Sequence, residues 1–217
     1  MSGLDATGAR DAYHRNVRLD VVPYVPYTPG TLLDVGGGVG ATAAELKRLG
    51  SARRVGVVDI VGGVSDVDFA YCGDIESESF MSDIVSSEGP FGTVLCLDVL
   101  EHIVDPWRLV RQLHQALAPG GVIVASIPNI RYFRALFPLF FLNRWTLRDS
   151  GVLDRTHLRF FVRSTAIELM THSGLALEKV VASPDGRKLV AILRRLTFGL
   201  LNTFTDRQYI IRVRRID

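Results

Sequence analysis

The chain has 217 residues, of which 47% are hydrophobic and 22% charged, a balance that excludes disordered and collagen-like classes and fits a single α/β-sized globular domain. Its net charge of +2, from 25 Lys plus Arg against 23 Asp plus Glu, gives no reason to expect a nucleic-acid partner. Only Cys72 and Cys96 occur, in no C-x-x-C pair, so neither a disulfide framework nor a zinc knuckle is expected, and a reducing, cytoplasmic compartment is.

Residues 1–20 are charged and carry no apolar h-region, so no signal peptide is predicted. Thr31 to Val35 is a short apolar strand running into glycines, and Ala41 to Leu49 is a helix closed by Gly50. Arg54 to Asp59 is a Val-rich second strand, which completes a βαβ unit. A third strand over Asp68 to Cys72, a short helix over Ser79 to Ser86 and a fourth strand over Phe91 to Leu97 follow. Asp105-Pro106 supplies an N-cap and an N1 proline, and Leu109, Val110, Leu113 and Leu117 recur at helical spacing until Pro119-Gly120. Gly121 to Ile127 is the fifth strand. Thr165 and Glu168 form a capping box for a helix that Gly174 closes, and Leu175 to Ala182 and Gln208 to Ile216 are the last strands.

Alternating strands and helices predict a Rossmann-like, doubly wound α/β domain over residues 1–217, with a mostly parallel seven-stranded sheet covered by helices on both faces. Asn129 to Arg163 is too long for a simple connection and predicts a lid or substrate insertion after the fifth strand. Its apolar run, Ala135 to Leu142, spans eight residues and contains Pro138, well short of the roughly 18–20 needed to cross a bilayer. The flanking Arg134, Arg144 and Arg148 allow a membrane-surface contact, but packing within the insertion or in a homodimer is the favoured reading. The segment from Arg187 to Arg215 has eight basic residues against Asp206 alone, without interleaved aromatic stacking residues, which fits a solvated face better than a nucleic-acid site.

The most informative motif is Leu32-Leu33-Asp34-Val35-Gly36-Gly37-Gly38-Val39-Gly40, a strand entering a glycine turn before a helix. Glycines let backbone approach a ligand, and the helix start offers free N–H groups. Asp59, at the end of the second strand, is placed to accept from ribose hydroxyls. Gly36, Gly38 and Ala41 also satisfy a dinucleotide pattern, but Asp34 would repel a pyrophosphate and would attract an ammonium group.

From Asp11 to about Ala182 the chain resembles the class I S-adenosylmethionine-dependent methyltransferases. The resemblance rests on the glycine turn, Asp59, Gly73-Asp74-Ile75, the run from Phe91 to Pro106 and the helix end Ala-Leu-Ala-Pro-Gly-Gly. It implies S-adenosylmethionine as cofactor, with Asp34, Gly36, Gly38 and Gly40 around the methionine portion. Asp59 would hold the ribose, Asp74 and Ile75 the adenine with Ile60 on the other face of the ring, and Leu97 would complete the pocket. Tyr13, Arg15 and Arg18 resemble a segment that closes over the cofactor, with Arg18 facing its carboxylate. Gly37 stands where many relatives have Cys or another small residue.

Two histidines are candidate catalytic bases. His102 follows the fourth strand, and His157 lies in Leu153-Asp154-Arg155-Thr156-His157-Leu158-Arg159, which resembles a subgroup from glycan and natural-product pathways. There Asp154 is expected to orient His157, and Arg155 and Arg159 to hold an anionic group of the acceptor. Asp98, Glu101 and His102 also resemble the D/E-x-x-E-H cluster of ubiquinone-biosynthesis O-methyltransferases, associated with a divalent cation, although no metal is assigned here. The expected activity is O-methylation of a sugar, glycan precursor or other small metabolite. A catalytically inactive nucleotide-binding module, or methylation at nitrogen or carbon, is the alternative.

Overall fold

The computed structural model describes residues 17–62 and 66–216, apart from the Leu193 side chain; Tyr13 and Arg15 lie outside the described residues. Seven strands form one sheet in the order β3-β2-β1-β4-β5-β7-β6. They are β1 (Thr28–Val35), β2 (Ala52–Asp59), β3 (Phe69–Cys72), β4 (Phe91–Leu97), β5 (Leu117–Pro128), β6 (Ala176–Pro184) and β7 (Asp206–Arg214). β1 pairs in parallel with β2 and β4, and β4 with β5. The sheet is nevertheless mixed, which corrects the expectation at its last edge: β7 lies between β5 and β6 and runs antiparallel to both. An antiparallel return needs no crossover, so β7 can double back beside β6 after the excursion at 185–205.

The inner strands β1, β2, β4, β5 and β7 are largely buried, their side chains alternating between two cores, whereas β3 and β6 are partly exposed. Leu33, Val35, Val94, Cys96, Ile123, Ala125, Ile211 and Val213 point to one cluster. Leu32, Leu95, Val122, Val124 and Ile210 point to the other. This period-2 division explains why the strands read as continuous apolar runs.

On the first face lie α2 (Glu78–Glu88), α3 (Pro106–Ala116) and α5 (Arg163–Thr171), which contribute Met81 and Ile84, Leu109 to Ala116, and Ala166 to Met170. On the second lies α1 (Ala41–Arg48), through Ala43 and Leu46. The Asp105 carboxylate caps α3 as expected, accepting from Arg108 N at 3.0 Å. Leu117, read as helical, is the first residue of β5. The start of α5 also differs: Val162 is the N-cap, and Thr165 sits one turn in, its Oγ1 accepting from Val162 N at 3.0 Å. Thr165 therefore plays the reciprocal part of a capping box, with no role for Glu168 as its partner.

The insertion at 129–163 contains α4 (Phe133–Leu142) and a long irregular return. α4 leaves Phe137, Phe140 and Phe141 exposed. The return segment docks on the short 3-10 turn Leu100–His102 that follows β4: Leu158 N and Arg159 N both donate to the Glu101 carbonyl, at 2.8 and 3.0 Å. Between β6 and β7 lie α6 (Lys188–Leu196) and the short α7 (Asn202–Thr205), which sequence periodicity did not single out. Among the described residues no helix is long and apolar enough to cross a membrane.

Candidate active site

The strand order reverses between β1 and β4, where ligands of open α/β sheets bind, beyond the carboxyl ends of the strands. There Arg18, Asp34, Gly36, Gly38, Leu97 and Asp98 surround a cavity of about 250 Å³. Thr42, Arg207 and Gln208 complete it. The last two come from β7, a contribution no local motif announced because it depends on which strand sits beside β5.

Asp34 forms the floor. It is 1% exposed, and neither carboxylate oxygen has a hydrogen-bond partner. Burial, reinforced by the charge of Asp59, pushes its pKa up to about 7. The glycine turn makes room for it: a Cβ on Gly37 would lie 2.6 Å from Asp34 Oδ2. Gly36 is required for a second reason, since its φ is +69° and a Cβ there would lie 2.4 Å from Val99. Asp59 stands beneath the turn and braces it, accepting from Gly38 N at 2.7 Å and Val61 N at 2.8 Å. Each oxygen keeps a further lone pair for a ligand hydroxyl. Gly40 is the N-cap of α1.

Neither Asp59 nor Gly40 is among the residues that line this cavity, and the cofactor candidates Asp74, Ile60 and Ile75 lie outside it as well. Asp74 is exposed, its Oδ1 accepting from Glu76 N, Ile60 is 76% exposed, and Ile75 packs partly against the first core. Arg18 does line the cavity but is held by protein carboxylates: it donates to Asp20 at 2.8 and 2.9 Å, and to Asp98 in a short ion pair. Asp98 adopts a left-handed backbone, φ 56°, secured by Ser126 Oγ donating to Oδ1 at 2.8 Å and by its own N–H on the Ser126 carbonyl. Such strain in a non-glycine residue persists where surrounding contacts over-determine it.

This engagement takes Asp98 out of the expected Asp98–Glu101–His102 set. Instead Glu101, His102 and His157 converge, each offering a ligand atom within 4.8 Å of the others. Glu101 is 1% exposed with both carboxylate oxygens unpartnered, and burial, with Asp98 nearby, raises its pKa well above the usual carboxylate range. His157 Nε2 lies 3.9 Å from Glu101 Oε1, and the two imidazoles meet edge to face at 4.7 Å. His102 Nδ1 lies 3.2 Å from the Thr156 carbonyl and His157 Nδ1 3.1 Å from the Val152 carbonyl. Carbonyls accept only, so Nδ1 is the donor nitrogen of each ring in these contacts, which leaves Nε2 for other partners. Burial, then the neighbouring His102, lowers the pKa of His157.

Asp154 meets His157 through its backbone carbonyl, which accepts from His157 N at 3.1 Å, rather than through its carboxylate, which accepts from Thr156 N and Oγ1 at 2.9 and 2.7 Å. Nor do the two arginines of that motif flank the cluster as an anion clamp. Arg155 pairs with Asp149, and Arg159 ties the insertion to the Val104 carbonyl at 2.6 Å.

A family model described as a methyltransferase domain matches residues 9–180. The ubiquinone biosynthesis O-methyltransferase of Xanthomonas campestris pv. campestris (strain B100) is 26% identical over 190 residues, covering 80% of this chain and 79% of that protein. Among solved structures, an S-adenosylmethionine-dependent methyltransferase from Archaeoglobus fulgidus superposes with a TM-score of 0.61 at 16% identity, covering 90% of this chain and 91% of the other. The N-methyltransferase NodS from Bradyrhizobium japonicum WM9, in complex with S-adenosyl-L-homocysteine, gives 0.54 at 16% identity, covering 87% and 79%. The residues present fit this cofactor: the orphaned Asp34 carboxylate at the cavity floor suits an ammonium group, and the glycine turn allows close approach. The chain belongs to the methyltransferase-domain family and is an S-adenosylmethionine-dependent methyltransferase.

Proposed function

We propose that the methyl group goes to a hydroxyl oxygen of a small metabolite, a sugar or phenol among them, in the cytoplasm. The observation that carries this reading is the convergence of Glu101, His102 and His157 just beyond the Asp98 edge of the cofactor cavity. S-adenosylmethionine supplies an electrophilic methyl on a sulfonium, and displacement there needs an in-line nucleophile. A hydroxyl is a poor nucleophile until its proton is removed, whereas many nitrogen acceptors need no base. The Nε2 atoms of the two rings are suited to that proton. His102 would meet the acceptor, while His157, 6% exposed at its side chain, would support it from beneath. Asp34, Asp59 and the glycine turn would fix the cofactor, and the 129–163 insertion would serve as the lid that keeps water from the reacting atoms.

One observation favours a second use of the same residues. A buried, unpartnered carboxylate beside two imidazoles whose Nδ1 atoms are fixed by carbonyls is also the donor set of a divalent cation site. The cation would orient and acidify the acceptor hydroxyl. A single experiment addresses both readings: a panel of sugars, phenols and their amino analogues incubated with methyl-labelled cofactor, with and without prior chelation. Label in an ether, lost by about a hundredfold or more in His102→Gln with S-adenosylhomocysteine affinity unchanged, is expected. Label on nitrogen or carbon would overturn the oxygen assignment. Activity abolished by chelation and restored by a divalent metal would select the second use, and chelator-insensitive turnover would select the first.

A further inference from the structure

A second cavity, of about 330 Å³, opens beside the first, and the two share Arg207. Its walls come from the 129–163 insertion and from the start of the 185–205 excursion, which carry Arg134, Arg148 and Arg187 into it. Four arginines therefore line it against one carboxylate, Asp185. That carboxylate is already consumed. It is buried, accepts from the Tyr132 hydroxyl in a short hydrogen bond, and is gripped by Arg187 through Nε at 3.0 and 2.9 Å and through Nη2. Arg187, foremost, holds Asp185 well below the usual carboxylate range, and Arg187 in turn stacks over Phe133 at 5.5 Å. Arg134, Arg148 and Arg207 have no hydrogen-bonded carboxylate among the described residues.

Like charges gathered around a partly enclosed space repel one another, and an anion relieves that repulsion. Guanidinium groups suit planar or tetrahedral oxyanions, because their paired N–H groups match carboxylate and phosphate edges. Val152, whose carbonyl meets His157 Nδ1, also lines this cavity. We propose that the cavity holds the end of the acceptor away from the reacting hydroxyl and recognises a carboxylate or phosphate there. Arg134 and Arg148 hold the oxyanion, Arg187 is pre-set by Asp185, and Arg207 stands at the passage to the cofactor. The inference deepens the methyl-acceptor reading and rests on it. It also places the anion clamp on arginines other than Arg155 and Arg159, whose side chains have protein partners.

The test is calorimetry of inorganic phosphate and of benzoate against protein saturated with S-adenosylhomocysteine, followed by turnover of matched acceptors. The pairs are glucose with glucose 6-phosphate and catechol with 3,4-dihydroxybenzoate. Wild type should bind at least one oxyanion, and Arg134→Gln/Arg148→Gln should weaken it about tenfold or more with S-adenosylhomocysteine affinity unchanged. Arg53→Gln, an exposed change at the opposite end of β2, should behave as wild type. Turnover should favour the charged member of a pair. Oxyanion binding that is absent, or equal in wild type and the double variant, overturns the proposal, as does a neutral acceptor methylated as fast as its charged counterpart. Failure of S-adenosylhomocysteine itself to bind would instead overturn the methyl-acceptor reading, and with it the acceptor role assigned to this cavity.

Discussion

Asp34 is buried in the cavity without a hydrogen-bond partner, and its folded pKa of about 7 stands well above the usual carboxylate range. A raised carboxyl pKa means that the folded state holds the proton more tightly. Its contribution to stability is therefore full below about pH 4 and is lost as pH rises through about 7, a change on the order of 4 kcal/mol. In the ligand-free protein Asp34→Asn should flatten that part of the decline, so that its melting temperature at pH 8 exceeds that of wild type. Cofactor binding should show the opposite sense. An ammonium group needs the ionised carboxylate, so wild-type affinity should rise roughly tenfold between pH 6 and pH 8, and Asp34→Asn should remove that dependence. Thermal melts and titrations at both pH values check the two statements together. Gly37→Ala tests the same contact from above: its Cβ would collide with the carboxylate, and cofactor affinity should fall while α1 and the sheet remain intact.

Elements whose signals are local were legible. The Asp105-Pro106 start of α3, the Gly50 stop of α1 and the apolar strands all follow from spacing and caps within a few residues. Asp105→Ala should accordingly lower stability by about 1 kcal/mol, measured by denaturant melts, without changing cofactor affinity. The α6 helix was less legible because Leu189, Ile192 and Leu196 are exposed, so its apolar stripe is not matched to a core. The return of the insertion onto Glu101 was not legible either, since it is made by backbone N–H groups of Leu158 and Arg159, which any sequence would supply. Arg159 adds a side-chain tie to Val104. Arg159→Ala should loosen the segment that positions His157, lowering kcat about tenfold with cofactor affinity preserved, as steady-state kinetics beside titration would show.

At the scale of the molecule, the juxtaposition of the glycine turn and Asp59 was readable because β1, α1 and β2 are consecutive and their geometry is fixed by the βαβ unit. Residues that reach the site from distant segments were only partly readable. His102 and His157 were each recognisable as candidates, yet their contact, and the replacement of Asp98 by His157 beside Glu101, depend on how a 35-residue segment folds back over the turn after the fourth strand. Arg207 and Gln208 enter the cavity only because β7 is antiparallel and sits next to β5. The central claim, a cofactor held over the buried Asp34, is tested most directly by calorimetric titration of S-adenosylmethionine and, in parallel, NADH into wild type and Asp34→Asn at pH 8. Binding of S-adenosylmethionine alone, lost or greatly weakened in the variant, is the predicted result. Binding of NADH, or undiminished binding of S-adenosylmethionine by Asp34→Asn, would contradict it.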